Sequence, residues 1–272
     1  MIEDILVHLD GTPAGERRIA YAFDLAEQHH ARLTGLHVTA AADVPPYYKP
    51  SRIEQVAEAI ERQSAQDART SEAVFKSVSS ARSVPALWQA FDGGMSQQIC
   101  RLARWSDLVV LGQYESEGSA ERHPLLLAEG VAADCGRPVL VVPERIGRCQ
   151  IRRALIAWDG GREAVRAIHD ALPLLREAKA TVEIIMIDSN EPIDAVEPLL
   201  DHLRRHRIVV EGDVQQHTKG STAHALVERL RQGHFDLLIM GAYGRPAWIE
   251  FLFGGTTPSA LMNASAPVLI SH

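Results

Sequence analysis

Glycines that follow an apolar segment near the end of the chain have a spacing typical of an anion site. Residues 237–240 have the composition of a buried strand, and four glycines come after it: Gly241, Gly244, Gly254 and Gly255. Glycine permits positive φ and lets the backbone approach a ligand closely. Thr257 and Pro258 then have the form of a helix N-cap and first helical residue, which would turn N–H groups toward the same anion. The alternative is that these glycines only form turns.

The chain contains an internal repeat. Apolar residues 5–9 lead into Asp10-Gly11, and residues 154–158 lead into Asp159-Gly160, 149 positions later. Further along, 107–112 (DLVVLG) matches 236–241 (DLLIMG) at an offset of 129. Residues 137–142 match 266–271 at the same offset. Matches in the same order indicate a duplicated domain with 20 additional residues in the first copy, and we predict two domains at 1–145 and 150–272.

Each copy alternates apolar strands with amphipathic helices. The predicted helices are 15–30, 53–78 and 95–103 in the first copy, and 163–178, 193–206 and 222–231 in the second. The predicted second strands are 33–39 and 182–187, and the third strands are a weak pattern at 84–87 and a clearer one at 208–214. This alternation predicts an α/β protein with two tandem copies of an open, parallel, five-stranded sheet that carries helices on both faces.

Two candidate residues lie where such sheets bind ligands. Ligands of open parallel sheets sit at the carboxyl ends of the strands, where the strand order reverses. Asp159 follows the first strand of the second copy, and Gly241 ends its fourth strand. We therefore expect the two residues to converge on one ligand.

The aspartate after strand 1 and the pattern Gly241-x2-Gly244-x9-Gly254 resemble those of the universal stress protein family, and the duplication resembles its tandem members. The resemblance covers nearly the whole chain and implies a nucleotide-binding α-hydrolase-like fold with ATP as ligand. ATP would bring its own Mg²⁺. It implies that Asp159 and Ile187 lie on the adenosine side. For the ribose and phosphates it implies Gly241, Gly244, Arg245, Gly254, Gly255 and Thr256. Met240 and Thr257 complete the predicted nucleotide site.

The sequence departs from the family pattern in two places. ATP-binding members have Ser or Thr directly after the last glycine, whereas Gly255 stands there and the hydroxyls follow one and two residues later. In the first copy, the positions of Gly244, Gly254 and Gly255 hold other residues: Glu115, Leu125 and Leu126. A carboxylate and two bulky side chains oppose phosphate binding. We expect one ATP per chain, with Asp10 and Gly112 either structural or lining a pocket for something else.

Composition restricts the partners of this protein. The net charge of −7 argues against a general nucleic-acid surface, which needs clustered Lys and Arg. No apolar segment approaches the roughly 20 residues of a membrane span, and the chain starts directly with a strand pattern, so we expect no membrane partner and a cytoplasmic location. Three cysteines without CxxC spacing are typical of reduced thiols, although redox sensing stays open.

Catalytic and metal motifs are absent from the sequence. It has no GxSxG elbow and no GxxxxGK[ST] loop, so Arg245 is the nearest basic candidate for phosphate contact. His202 and His206 could share a helix face and bind a metal weakly, but no third ligand is evident and we predict no metal site. We predict no catalytic residues, with slow ATP hydrolysis left open.

Three functional hypotheses follow. The first is a stress-response protein that binds ATP in its C-terminal domain and changes its interactions with unidentified protein partners. The others are a nucleotide-independent interaction scaffold and a slow ATPase. For assembly, exposed edges of the end strands 138–142 and 267–271 should pair. Because single-domain members of the resembled family dimerise through such strands, we predict an intramolecular pseudo-dimer, with a homodimer of whole chains left open.

Overall fold

A computed structural model describes residues 1–39, 50–113, 124–187, 192–217, 222–241 and 264–272. The first half contains β1 (Asp4–His8), α1 (Pro13–His29), β2 (Arg32–Thr39), α2 (Pro50–Ser80), β3 (Ala86–Asp92), α3 (Met95–Ala103), β4 (Leu108–Gly112), α4 (Pro124–Cys135) and β5 (Val139–Val142). The second half contains β6 (Arg153–Trp158), α5 (Arg162–Ala178), β7 (Thr181–Ile187), a 3₁₀ turn (Ile193–Val196), α6 (Glu197–Arg205), β8 (Val209–Val210), β9 (Gln215–His217), α7 (Thr222–Gly233), β10 (Leu237–Gly241) and β11 (Val268–Ser271).

Within the described residues, eleven strands form one continuous sheet. Its order is β3-β2-β1-β4-β5-β11-β10-β6-β7-β8, and β9 also pairs with β7. The strands of each half are parallel, and helices cover both faces, as predicted. The central strands are buried along almost their whole length, which explains why they appear in the sequence as near-continuous apolar runs.

The two halves join through their end strands. β5 and β11 pair antiparallel, with Val141 opposite Val268 and Leu140 opposite Leu269. The predicted pairing of these strands within one chain is therefore confirmed. It removes two sheet edges, because each end strand covers the backbone donors and acceptors that the other would expose.

Local sequence sets the bounds of the helix after the first strand of each half. In α1, Pro13 is the first helical residue, and the Gly15 N–H donates to Thr12 Oγ1 at 3.0 Å. The helix α5 has Gly161 at its N-cap, without a side-chain cap. Both helices end on a residue with positive φ, His30 at 55° and Lys179 at 51°.

The third strands differ from the predictions. In the first half, β3 occupies 86–92 rather than 84–87, because it is an edge strand whose side chains are mostly half-buried or exposed and whose apolar pattern is therefore weak. In the second half, the predicted strand 208–214 is instead two short strands, β8 and β9. Gly212, with φ of 72°, lies between them and breaks the strand.

The described helices offer no candidate for a membrane span, because none combines sufficient length with sufficient apolar character.

Candidate functional site

The strand order places one reversal point in each half of the sheet. In the second half, β6 lies between β10 and β7. The chain therefore adds β7 on one side of β6 and later adds β10 on the other side. In the first half, β1 lies in the same way between β4 and β2. The carboxyl ends of these strands border a crevice, which is the general ligand position in open α/β sheets.

The structure brings the predicted residues of the second half to one edge of the sheet. Asp159 directly follows β6, Ile187 ends β7 and Gly241 ends β10. The Asp159 carboxylate is 5% exposed, and its Oδ1 accepts a hydrogen bond from the Gly161 N–H at 2.8 Å. The side chains of Ile187 and Met240 are buried in the core, so only their backbone groups are placed to face a ligand.

Gly241 has a packing role that the sequence did not indicate. A Cβ atom at this position would lie 2.5 Å from the Ala164 backbone nitrogen and 2.7 Å from the Glu163 carbonyl carbon. Both atoms belong to the first turn of α5. Glycine is therefore required here for close contact between β10 and α5, whether or not a ligand also approaches it.

The other predicted phosphate residues lie outside the described residues. These are Gly244, Arg245, Gly254, Gly255, Thr256 and Thr257. Their assignment to a nucleotide site stays a prediction from the sequence.

The crevice of the first half contains a buried ion pair. The Arg18 guanidinium on α1 donates to Asp10 Oδ2 at 2.7 Å, and the two side chains are 3% and 9% exposed. Asp10 Oδ1 accepts from the Thr12 N–H at 3.1 Å and from the Thr12 hydroxyl at 2.7 Å. Burial alone would raise the pKa of the Asp10 carboxyl, but the Arg18 charge and these hydrogen bonds lower it to about 2. Of the two roles left open for Asp10, the structural one is thus supported.

Helix α2 packs against the turn that borders the first crevice. A Cβ atom at Gly11 would lie 2.8 Å from the Asp67 Cα and 3.0 Å from the Asp67 carbonyl oxygen. Gly11 has φ of 74°, so both its conformation and its surroundings favour glycine. The backbone of α2 therefore packs directly on the turn that follows β1.

Arg18 was missed by the sequence analysis, although the repeat contains a signal for it. At the offset of 149 residues, the position of Arg18 is occupied by Ala167, which is fully buried. A charged residue aligned with a buried alanine indicates that the two copies differ at this point.

A match to a family model decides the identity of both halves. The model is described as the universal stress protein family, and it matches residues 1–143 and again residues 150–272. The chain belongs to the universal stress protein family. The resemblance derived from the sequence is therefore confirmed, including the tandem arrangement of two copies.

Solved structures share the fold of this universal stress protein over nearly its whole length. A universal stress protein from Archaeoglobus fulgidus DSM 4304 has a TM-score of 0.66 at 17% identity, covering 98% of this chain and 95% of the other. A putative universal stress protein from Pseudomonas aeruginosa UCBPP-PA14 has a TM-score of 0.57 at 12% identity, covering 99% and 93%. At such low identities the likeness shows the fold alone.

The tandem fold also occurs outside stress proteins. The cytoplasmic domain of a prokaryotic cation chloride cotransporter has a TM-score of 0.50 at 13% identity, covering 99% of this chain and 95% of that one. No curated protein sequence matches this chain. The function of this universal stress protein must therefore be inferred from its own residues.

The buried histidine His8 adds a second distinctive feature to the first half. Its side chain is 3% exposed, and its Nε2 has no hydrogen-bond partner among the described residues. Burial, followed by the charge of Arg18, lowers the pKa of the His8 imidazole to about 3. The imidazole is therefore neutral at physiological pH. The equivalent residue of the second half is Ala157.

The three cysteines of this universal stress protein are free and buried: Cys100, Cys135 and Cys149. Burial raises the pKa of all three thiols, to about 11 for Cys149. Because the thiolate is the reactive form, these environments disfavour redox chemistry. The expectation of reduced thiols agrees with these three buried, free side chains.

Proposed function

We propose that this universal stress protein binds ATP in its C-terminal half and acts in the cytoplasm through interactions that depend on the bound nucleotide. One observation carries this proposal: Asp159, Ile187 and Gly241 meet at the reversal point of the second half. The chain continues from Gly241 into the glycine-rich segment that has the spacing of an anion site. A carboxylate and backbone groups on one side and glycines on the other suit the two ends of a nucleotide.

The proposed contacts divide along the ligand. Asp159 and the backbone of Ile187 would lie on the adenosine side. The ribose and phosphates, with the Mg²⁺ that accompanies ATP, would face Gly241, Gly244, Arg245, Gly254, Gly255 and Thr256. Met240 and Thr257 border the same site in the sequence. With no P-loop lysine in the sequence, hydrolysis would be slow.

Ligand binding would change the stability of the protein. A ligand that binds only the native state stabilises it by RT ln(1 + [L]/Kd), which is about 2.7 kcal/mol when the ligand is at about 100 times its Kd. This linkage would couple the lifetime of the protein and its partner surfaces to the nucleotide supply.

A scaffold that binds no nucleotide is the second candidate function. It is favoured by the first half, where Arg18 pairs with Asp10 and α2 packs on Gly11 while the fold remains intact. If the second crevice were equally closed, the protein would act only through its surfaces.

Exchange of one residue between the copies tests the ATP proposal. Gly244→Glu introduces the first-half residue into the second half and places a carboxylate beside the proposed phosphates. At an effective dielectric constant of about 20, like charges about 4 Å apart repel by roughly 4 kcal/mol, which is an upper limit of about three decades in affinity. We expect Mg-ATP to raise the melting temperature of the unmodified protein, and to raise that of Gly244→Glu little or not at all.

The reverse exchange is the matched control. Glu115→Gly changes the same position of the first half and should leave the ATP response unchanged. Circular dichroism checks that both variants are folded. Equal ATP affinity in Gly244→Glu and the unmodified protein would show that the glycine segment does not hold the phosphates. Absence of any ATP response in the unmodified protein would favour the scaffold.

A further inference from the structure

Three histidines from two helices meet beside the second half of the sheet, away from the proposed ATP site. His169 lies on α5, His202 lies on α6, and His206 directly follows α6. The ring centroids are 4.7 Å apart for His169 and His202, and 4.5 Å apart for His202 and His206. The rings of His169 and His206 are 6.4 Å apart. The sequence placed only His202 and His206 together, and the structure adds His169 from α5 to this pair.

The spacing of the rings suits a tetrahedral metal ion. Three imidazoles that bind one Zn²⁺ through nitrogens at about 2.0–2.1 Å have ring centroids about 5 Å apart. The three observed separations lie on both sides of this value.

His202 has an unused nitrogen. Its Nε2 is buried and has no hydrogen-bond partner among the described residues. Histidine binds metals through Nε2 or Nδ1, so this nitrogen is available as a ligand.

The acids beside these histidines in the sequence have other partners. Asp170 Oδ2 accepts a hydrogen bond from the Ser271 hydroxyl at 2.8 Å. Asp201 Oδ1 accepts from Arg204 at 2.9 Å. The cluster therefore consists of imidazoles alone, a donor set that favours Zn²⁺, Ni²⁺ or Cu²⁺ over Mg²⁺ and Ca²⁺.

We propose that His169, His202 and His206 bind one divalent transition-metal ion such as Zn²⁺ and thereby fasten α6 to α5. The described residues contain no preformed group of three His, Cys, Asp or Glu ligands around a metal position, so the rings rotate inward as the ion binds. His169 is exposed, which leaves the outer coordination position to water. This site is independent of ATP binding.

Calorimetric titration of the full chain with ZnCl₂ tests the proposal. We expect one ion per chain, a higher melting temperature with Zn²⁺, and no heat of binding with MgCl₂. His169→Ala and His202→Ala should each weaken zinc binding at least about tenfold, because each removes one of three coordinate bonds. The control His224→Ala removes an exposed histidine of α7 and should bind zinc as the unmodified chain does.

Cobalt spectroscopy on the unmodified protein keeps the test independent of variant folding. Co²⁺ in an imidazole site gives visible d–d bands without the strong near-ultraviolet charge-transfer band of thiolate ligands. Absence of zinc binding, an unchanged affinity in His169→Ala, or a thiolate band that assigns the ion to a cysteine would each overturn the proposal.

Discussion

The two crevices of this protein occupy equivalent positions in duplicated folds, but they differ in what fills them. In the first, Arg18 pairs with Asp10, and α2 packs on Gly11. In the second, Ala167 stands at the position of Arg18, and the polar helix of the second half has only 9 residues against 31 in α2. The same strand order thus supports a crevice whose polar groups are used for stability in one half and a candidate ligand site in the other.

The difference shows that equivalent crevices of a duplicated domain can contain different polar contacts while the fold stays the same. A buried carboxylate at the end of a strand needs a partner. An arginine from the following helix supplies that partner permanently, whereas a ligand supplies its contacts only when bound.

The largest expected effect is the loss of the buried ion pair in the first crevice. Arg18→Ala leaves the Asp10 carboxylate buried without its cation, which should lower the free energy of unfolding by about 3–5 kcal/mol. Urea denaturation measures the change. The control is Arg17→Ala, which removes an exposed neighbour whose Nε donates to the Glu144 carbonyl. Equal losses in the two variants would contradict the structural role of Arg18.

A smaller effect is expected at the edge of the second crevice. Gly241→Ala adds a methyl group against the backbone of Ala164, and such overpacking costs roughly 1–3 kcal/mol. Displacement of the first turn of α5 should also move Asp159 and weaken ATP binding. Gly147→Ala is the control, because a Cβ atom there has no neighbour within 4 Å. Equal stability and ATP affinity in both variants would show that the contact between β10 and α5 is unimportant.

The smallest expected effect is a pH dependence that originates in the first half. The pKa of His8 is lowered from 6.5 to about 3 on folding, so the unfolded chain binds a proton between these values and the folded chain does not. The stabilisation is complete above the pKa that His8 has in the unfolded chain, and it decreases as the pH falls below that pKa. At pH 5.5 the free energy of unfolding should be lower by about 1.4 kcal/mol.

His8→Ala, which introduces the residue of the second half, isolates this contribution. Denaturation at pH 7.5 and pH 5.5 should show a smaller loss on acidification in the variant than in the unmodified protein. Asp10 does not interfere, because its stabilising contribution is lost only as the pH falls from 3.8 toward about 2. Identical losses in both proteins would exclude His8 as a source of the pH dependence.

The sequence predicts most of the sheet and little of the contrast between the crevices. Central strands such as β4 and β10 are buried on both faces, and their apolar runs are visible in the repeat. The edge strand β3 is largely exposed, so its sequence has a weak apolar pattern, and the predicted bounds of this strand were wrong.

Contacts between separate elements were harder to predict. Arg18 meets Asp10 only because α1 folds back over β1, and His169 meets His202 only when α5 and α6 are placed side by side. Neither pair has a periodic signal in the sequence. Gly241 was singled out for a close approach to a ligand, which stays a prediction. Its contact with α5 depends on packing that the spacing does not specify.

Calorimetric titration of the full chain with Mg-ATP tests the contrast between the two halves most directly. The account predicts one ATP per chain, with binding lost in Gly244→Glu and retained in Glu115→Gly. Two equivalent sites per chain, or no binding at all, would contradict it.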